Sequence, residues 1–310
     1  MKVVVTGATG FIGRPVCKTL MQAGHTVTAL TRDPERARTT LGPQASCLAW
    51  GENAAPEWKQ AVAEADAVVH LAGEPIGAQK WTPAFKQKIL DSRVETTRVL
   101  VAAICAGQSK PDALISASGI NVYGDRKDET VTEETGPGDD FLAQVCRQWE
   151  AEAQKAAACG VRVARLRTSV VLGQGGALER MLYPLPLPVS LWKLGLAGKL
   201  GSGRQWLPWI HIDDAVGLYV WAATHAEVSG PVNVTAPNPV TNAQFTAALA
   251  RALHRPAFLP VPAVALRALV GEFAETLLIG QKALPTVALR LGYAFRYPDL
   301  DAALHALLSR

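Results

Sequence analysis

The sequence predicts an α/β protein: a doubly wound parallel sheet with a smaller C-terminal substrate-binding cap. Three observations carry that reading. Short β-branched runs alternate with helical stretches through the first half of the chain. A glycine-rich turn separates the first strand from the first helix. Beyond Gly173 the texture changes to proline- and glycine-rich loops, tryptophans and short helices, with no second regular βα series. With 310 residues, 49% of them hydrophobic and 19% charged, the chain can bury a large core and is too apolar to stay disordered.

Val3 to Thr6 reads as a buried strand. A helix follows from about Phe11 to Ala23 and closes at Gly24, a residue at ease in the left-handed conformation that ends helices. Val27 to Thr31 supplies a second strand, Ala67 to Ala72 a later one, and Ala113 to Ser116 and Val161 to Leu166 two more. Helices over about Ser92 to Ala106 and Phe141 to Ala158 stand between these last strands, the spacing of a doubly wound sheet. Residues 1–172 are expected to form the main domain, and 173–310 mainly the cap and C-terminal helices. Pro231 to Val234 and Asp213 to Thr224 read as a strand and a helix returned to the main domain, so residues 210–235 belong with it.

Charge and composition exclude several partners. The net +4, from 31 basic against 27 acidic residues, is spread without a long basic run, which argues against nucleic-acid binding. No apolar run reaches membrane-spanning length, and the least charged stretch, Met181 to Trp192, is broken by Pro184, Pro186 and Pro188. Met1 to Val5 leads straight into the glycine turn, without the apolar region of a signal peptide. Cys17, Cys47, Cys105, Cys146 and Cys159 are widely spaced, and their odd number suits reduced thiols better than disulfides or a zinc site. A cytoplasmic protein without metal, membrane or nucleic-acid partner is expected.

The strongest motif is Thr6-Gly7-Ala8-Thr9-Gly10-Phe11-Ile12-Gly13. Gly7 permits the tight turn, Gly10 lets the backbone approach a pyrophosphate, and Gly13 lets helix and sheet pack closely, while the helix N-terminus offers N–H groups to the anion. This is the dinucleotide fingerprint of a Rossmann-type fold. NAD-binding folds usually end the second strand on an acidic residue that holds the ribose 2′-hydroxyl. Here Thr31 and Arg32 stand there, and a guanidinium suits a 2′-phosphate, so NADP(H) is expected over NAD(H). The alternative is a solvated Arg32 beside Asp33 and Glu35.

Across the whole chain these motifs resemble an extended short-chain dehydrogenase/reductase of the NAD-dependent epimerase/dehydratase family. The glycine turn, His70-Leu71-Ala72-Gly73, Ser116-Ala117-Ser118 followed by Val122-Tyr123-Gly124, Arg167 before Val171-Leu172-Gly173, and Trp209-Ile210-His211-Ile212-Asp213-Asp214 carry the resemblance. Leu71 to Ile76, Trp149 to Glu152 and Gly201 to Gln205 are similar to an atypical, YfcH-like subgroup. The resemblance implies that Leu71, Ala72 and Gly73 line the cofactor diphosphate and ribose, and that Ser116, Arg167 and the segment after Arg167 lie along the cofactor. Arg93 stands where many members carry asparagine and could add a phosphate contact, or pair on the helix surface with Asp91 or Glu95.

The family's usual proton shuttle is a tyrosine with a lysine four residues later. Alignment through Glu150 puts Leu142 and Cys146 at those positions, and no tyrosine lies between Thr135 and Ala153. Ser118 and Tyr123 remain as catalytic candidates, either as donors or as structural residues. Asp213 or Asp214 reads as a helix cap and His211 as a packing residue. Arg204, Gln205, Trp206 and Trp209 are expected to face the cleft, with Trp81 closing its other side, as a substrate site or as interdomain core. Leu182 to Lys199 looks longer than the corresponding loop of similar proteins. The function expected is an NADP(H)-dependent oxidoreductase or isomerase acting on a small molecule; the alternative is a non-catalytic NADP(H)-binding redox sensor or regulator.

Overall fold

A computed structural model describes residues 1–182, 192, 195 and 197–309. Most of the proline-rich stretch between Leu182 and Lys199, including Pro184, Pro186 and Pro188, lies outside the described residues.

Seven parallel strands form the central sheet. From one edge they run Gly230–Val234, Arg162–Thr168, Ala113–Gly119, Ala67–His70, Lys2–Thr6, Thr26–Thr31 and Ser46–Ala49. The chain starts mid-sheet at Lys2–Thr6, builds outward to Ser46–Ala49, then crosses back to Ala67–His70 and builds the other way. Val3, Val4, Val5, Val68 and Val69 are all buried, as a sheet covered on both faces requires.

Helix Gly13–Gln22 buries Gly13, Val16, Cys17 and Leu20, the spacing of one helical face, against the sheet. Helix Pro83–Ala106 begins at Pro83 rather than Ser92 because Thr82 caps it, its hydroxyl accepting from the Phe85 amide, and proline suits the first helical turn. Asp140 caps helix Phe141–Gln154 in the same way, at 2.9 Å from the Ala143 amide. A 3-10 turn, Lys155–Cys159, continues that helix. Among the elements unread in the sequence are strand Ser46–Ala49 and helices Pro34–Leu41 and Glu57–Ala63. The strand is a four-residue edge with only Cys47 buried, too short for a period to show.

The later part of the chain adds two-stranded pairs and short helices. Val170–Leu172 pairs in parallel with Trp209–His211, and Trp206–Leu207 pairs antiparallel with Val240–Thr241. Helices Asn242–Ala252 and Leu300–Leu308 share a core with Trp192, Trp209 and Leu172. Helix Ile212–Thr224 packs on the main core. No described helix is long and apolar enough to cross a membrane.

The cysteine expectation is corrected. Cys105, in the last turn of its helix, is bonded to Cys159, with Cα atoms 5.5 Å apart. Their 54-residue separation hides the pairing, which comes from two helix ends packing together. Cys17, Cys47 and Cys146 are free and buried.

Candidate functional site

The crossover places a ligand crevice between the carboxyl ends of Lys2–Thr6 and Ala67–His70, where the winding direction reverses. The glycine turn lies at this point. Gly7 has φ +65°, and a Cβ there would stand 2.7 Å from the Leu71 carbonyl carbon. A Cβ on Gly13 would overlap the Gly7 carbonyl oxygen, so strand end and helix start can approach only as glycines. Thr9 and Gly10 are exposed at the tip, ready to meet a ligand with backbone. The side chains of Phe11 and Ile12 pack inward, the Phe11 ring against Gly173 and Gly176.

A buried hydrogen-bond chain fixes the turn to its neighbours. Thr6 Oγ1 accepts from the amides of Leu71 (3.2 Å) and Ala72 (3.3 Å), so its proton goes to His70 Nδ1 at 2.7 Å. His70 Nε2–H then donates to Thr97 Oγ1 at 2.9 Å, and Thr97 donates to the Arg93 carbonyl at 2.6 Å. This order makes the ring neutral with its proton on Nε2, and burial pushes its pKa down to about 4. The Leu71 and Ala72 amides are thereby taken up within the protein, leaving half-buried Leu71 and Ala72 and exposed Gly73 as a surface for a ligand.

At the end of the second strand, Thr31 is half-buried and Arg32 exposed. Asp33, the nearest acid, is occupied: its carboxylate caps helix Pro34–Leu41, accepting from the Arg36 amide at 3.0 Å. The cation is thus left facing solvent while the carboxylate is tied down.

On the other side of the switch point, a charged network is sealed under the sheet. Arg167 grips Glu150 at two points, Nε to Oε1 at 2.8 Å and Nη2 to Oε2 at 2.9 Å. Ser118 donates to Glu150 Oε1 at 2.7 Å, and Arg165 reaches Oε2 at 3.4 Å. Arg167 Nη1 also donates to the Tyr123 hydroxyl at 2.9 Å, and Tyr123 donates to Asn233 Oδ1 at 2.8 Å. Four residues singled out in the sequence lie in or beside this network. Tyr123 has no exposed surface, its hydroxyl is spoken for, and burial raises its pKa, so it cannot serve as an acid in an open cleft. Arg167, expected along the cofactor, is nearly buried as the counterion of Glu150. Ser116 is buried, its hydroxyl donating to the Ala117 carbonyl at 3.2 Å. Ser118 is almost fully enclosed and spends its proton on Glu150, a residue for which only the fold revealed the role.

Leu142 and Cys146 sit one turn apart on Phe141–Gln154, both buried. Burial pushes the Cys146 thiol up to about 11, so it is neutral near pH 7. Arg93 approaches from the neighbouring helix, its guanidinium 5.2 Å from the Trp149 ring and beneath Gly73, where an added Cβ would lie 3.3 Å from Cζ.

The cap side is mixed. Trp81 meets Phe141 edge-on at 5.2 Å and Phe273 at 5.7 Å, an aromatic wall joining the start of Phe141–Gln154 to the C-terminal region. Arg204 is exposed. Gln205 is spent on the Leu200 and Leu277 carbonyls, and the Trp206 ring donates to Asp128 at 2.9 Å. Trp209 is fully buried with Leu172 and Phe245, a core residue and not a cleft residue, because its short strand is covered on both sides. The helix cap at 212 is His211 itself, whose Nδ1 accepts from the Asp213 amide at 3.0 Å; Asp214 instead receives the amides of Arg296 and Tyr297. A groove of about 770 Å³ opens at Thr9 and Gly10 and runs past Arg14 and Lys18 to His211 and Leu307, leaving Thr31, Leu71 and Ser118 outside its walls. Among the described residues no cluster of His, Cys, Asp and Glu could hold a metal ion.

The reversing parallel sheet and the glycine turn at its switch point define a Rossmann-type protein of the short-chain dehydrogenase/reductase kind. Within that class, the chain belongs to the NAD dependent epimerase/dehydratase family, whose model matches residues 3–235. Residues 261–307 match a domain of unknown function, DUF1731. Epimerase family protein YfhF of Bacillus subtilis is 40% identical over 311 residues, covering 100% of this chain and 98% of that protein. Human epimerase family protein SDR39U1 (isoform 2), crystallised with NADPH, superposes with a TM-score of 0.85 at 35% identity, covering 100% of both chains. The nucleoside-diphosphate sugar epimerase of Corynebacterium glutamicum gives 0.76 at 35% identity, over 99% of this chain and 58% of that one.

Proposed function

We propose that this protein binds NADP(H) at the glycine turn and acts on a small molecule as an oxidoreductase or isomerase. The observation that carries the cofactor is the division of labour at the second strand: Arg32 stands exposed where the 2′-substituent belongs, while Asp33 is held as a helix cap. The turn fits a dinucleotide, since Gly7 and Gly13 let strand end and helix start close up while Thr9 and Gly10 stand exposed at the tip. Support also comes from the human relative, whose structure contains NADPH. Thr9, Gly10 and Gly13 would face the diphosphate with backbone, Thr31 and Arg32 the 2′-phosphate, and Leu71, Ala72 and Gly73 the ribose. When bound, NADP(H) supplies or accepts a hydride at nicotinamide C4.

Trp81 and Arg204 are the residues of this chain proposed to meet the substrate; Trp81 brings apolar surface beside Phe141, and Arg204 an exposed cation. The cytoplasm is the proposed location. Isothermal titration tests the cofactor. NADPH should bind at least about tenfold more tightly than NADH, and Arg32→Ala should remove that preference, because one charge-assisted hydrogen bond contributes roughly 1.5–3 kcal/mol. Equal affinities in the wild type would overturn the proposal.

A second reading, binding without turnover, has its own support: helix Phe141–Gln154 carries no tyrosine or lysine, and the Tyr123 hydroxyl is sealed in. A screen of carbonyl compounds and nucleotide sugars that follows NADPH oxidation separates the two. Turnover of any of them supports the enzyme, whereas tight NADPH binding with no turnover supports the sensor.

A further inference from the structure

Aligned through Glu150, Cys146 falls where the family carries its lysine, and it is a buried, neutral thiol. A cation nevertheless stands near that thiol. Arg93 comes from helix Pro83–Ala106, lies beneath Gly73 and packs against Trp149, and its field reaches Cys146. One end is tethered: Nη1 donates to the Ile89 carbonyl at 3.1 Å and to Ser92 Oγ at 3.4 Å. Nε and Nη2 donate to no protein atom among the described residues, and the side chain is only half-buried, its guanidinium carbon close under Gly73 of the segment that follows strand Ala67–His70.

Among the described residues no carboxylate pairs with the guanidinium: Glu74, whose charge acts on it, is itself paired with Lys88 at 3.2 Å. A half-buried cation with two unpartnered donors and no paired carboxylate among the described residues is a costly arrangement that an oxygen-rich ligand would relieve. Stacking on Trp149 and the Nη1 tether hold the planar fork in one orientation, which suits the adjacent oxygens of a ribose or phosphate.

We infer that Arg93 replaces the missing lysine, gripping the nicotinamide-nucleotide half of the cofactor through its ribose and phosphate oxygens. This rests on the NADP(H) reading above. It assigns the two ends of the ligand to two arginines, Arg32 for the adenosine side and Arg93 for the nicotinamide side.

Isothermal titration of the full chain with NADPH and with adenosine 2′,5′-bisphosphate, which lacks the nicotinamide half, tests the assignment. Arg93→Gln should weaken NADPH by about tenfold to a hundredfold, as expected for one or two charge-assisted hydrogen bonds. It should leave the bisphosphate within about twofold of wild type, a shift below the energy of one such bond. Arg32→Ala should weaken both. Arg93→Lys keeps the charge but not the fork, and should weaken NADPH less than the glutamine variant does; if Arg93→Gln does not fold, as judged by thermal melting, the lysine variant alone must still separate the two ligands. Unchanged NADPH affinity in the folded variants, or equal weakening of both ligands, overturns the role of Arg93 and leaves the cofactor reading intact. Failure of the wild type to bind either ligand overturns both.

Discussion

Arg167 and Glu150 meet at two points, 2.8 and 2.9 Å, with almost no exposure to solvent, and Ser118 adds a third contact to the same carboxylate. Cutting one member strands the other as a buried charge, which typically costs roughly 3–5 kcal/mol. Glu150→Ala is therefore expected to lower unfolding free energy by about that amount in urea titrations. A loss below about 1 kcal/mol, the value of a surface pair, would show that the charges are hydrated in solution.

Tyr123 donates to Asn233 and accepts from Arg167 inside the same network. Tyr123→Phe should destabilise the fold by roughly 1–3 kcal/mol by leaving those partners unsatisfied, and leave NADPH affinity unchanged. If substrates are found and this variant abolishes turnover without loss of stability, the phenol must reach the crevice after all.

His70 makes stability depend on pH. Its folded pKa lies near 4, below the ordinary value of about 6.5, because the buried ring is held neutral between Thr6 and Thr97. As pH falls from about 6.5 to 4, the unfolded chain takes up a proton that the native state refuses, so stability drops; above that window the group has no effect. The full drop is about 3 kcal/mol, from 1.36 kcal/mol per pKa unit. Denaturation at stepped pH should show wild type losing stability relative to His70→Asn across this interval. Parallel curves for the two proteins would remove the histidine as the cause.

Gly7 combines a positive φ with a close approach to Leu71. Gly7→Ala would meet backbone that cannot move aside, so a loss of at least about 1–3 kcal/mol is expected, with NADPH binding weakened beyond detection. Gly24→Ala is the control: it shares the positive φ but has open space around its Cβ position, so it should cost about 1–2 kcal/mol from backbone strain and leave binding alone. Equal binding losses in both variants would mean that backbone strain, and not the cradle, sets affinity.

Much of this protein could be read from the order of its residues, because the signals involved are local. Strand–glycine turn–helix spacing and β-branched runs each act over a few residues, and the structure puts the strands and the helix where that logic requires. The absence of tyrosine and lysine from helix Phe141–Gln154 is equally a matter of sequence. What needed tertiary structure was every outcome decided by partners far apart in the chain. Glu150 finds Arg167 and Ser118 only when a helix is laid across two strands. Cys105 finds Cys159 when two helix ends meet, and Trp209 is buried when short strands and helices close over it. For the same reason a lone Tyr123 or Arg93 looks alike in the sequence: burial and the supply of hydrogen-bond partners seal the first into the core and leave the second half-buried, with Nε and Nη2 unpartnered among the described residues.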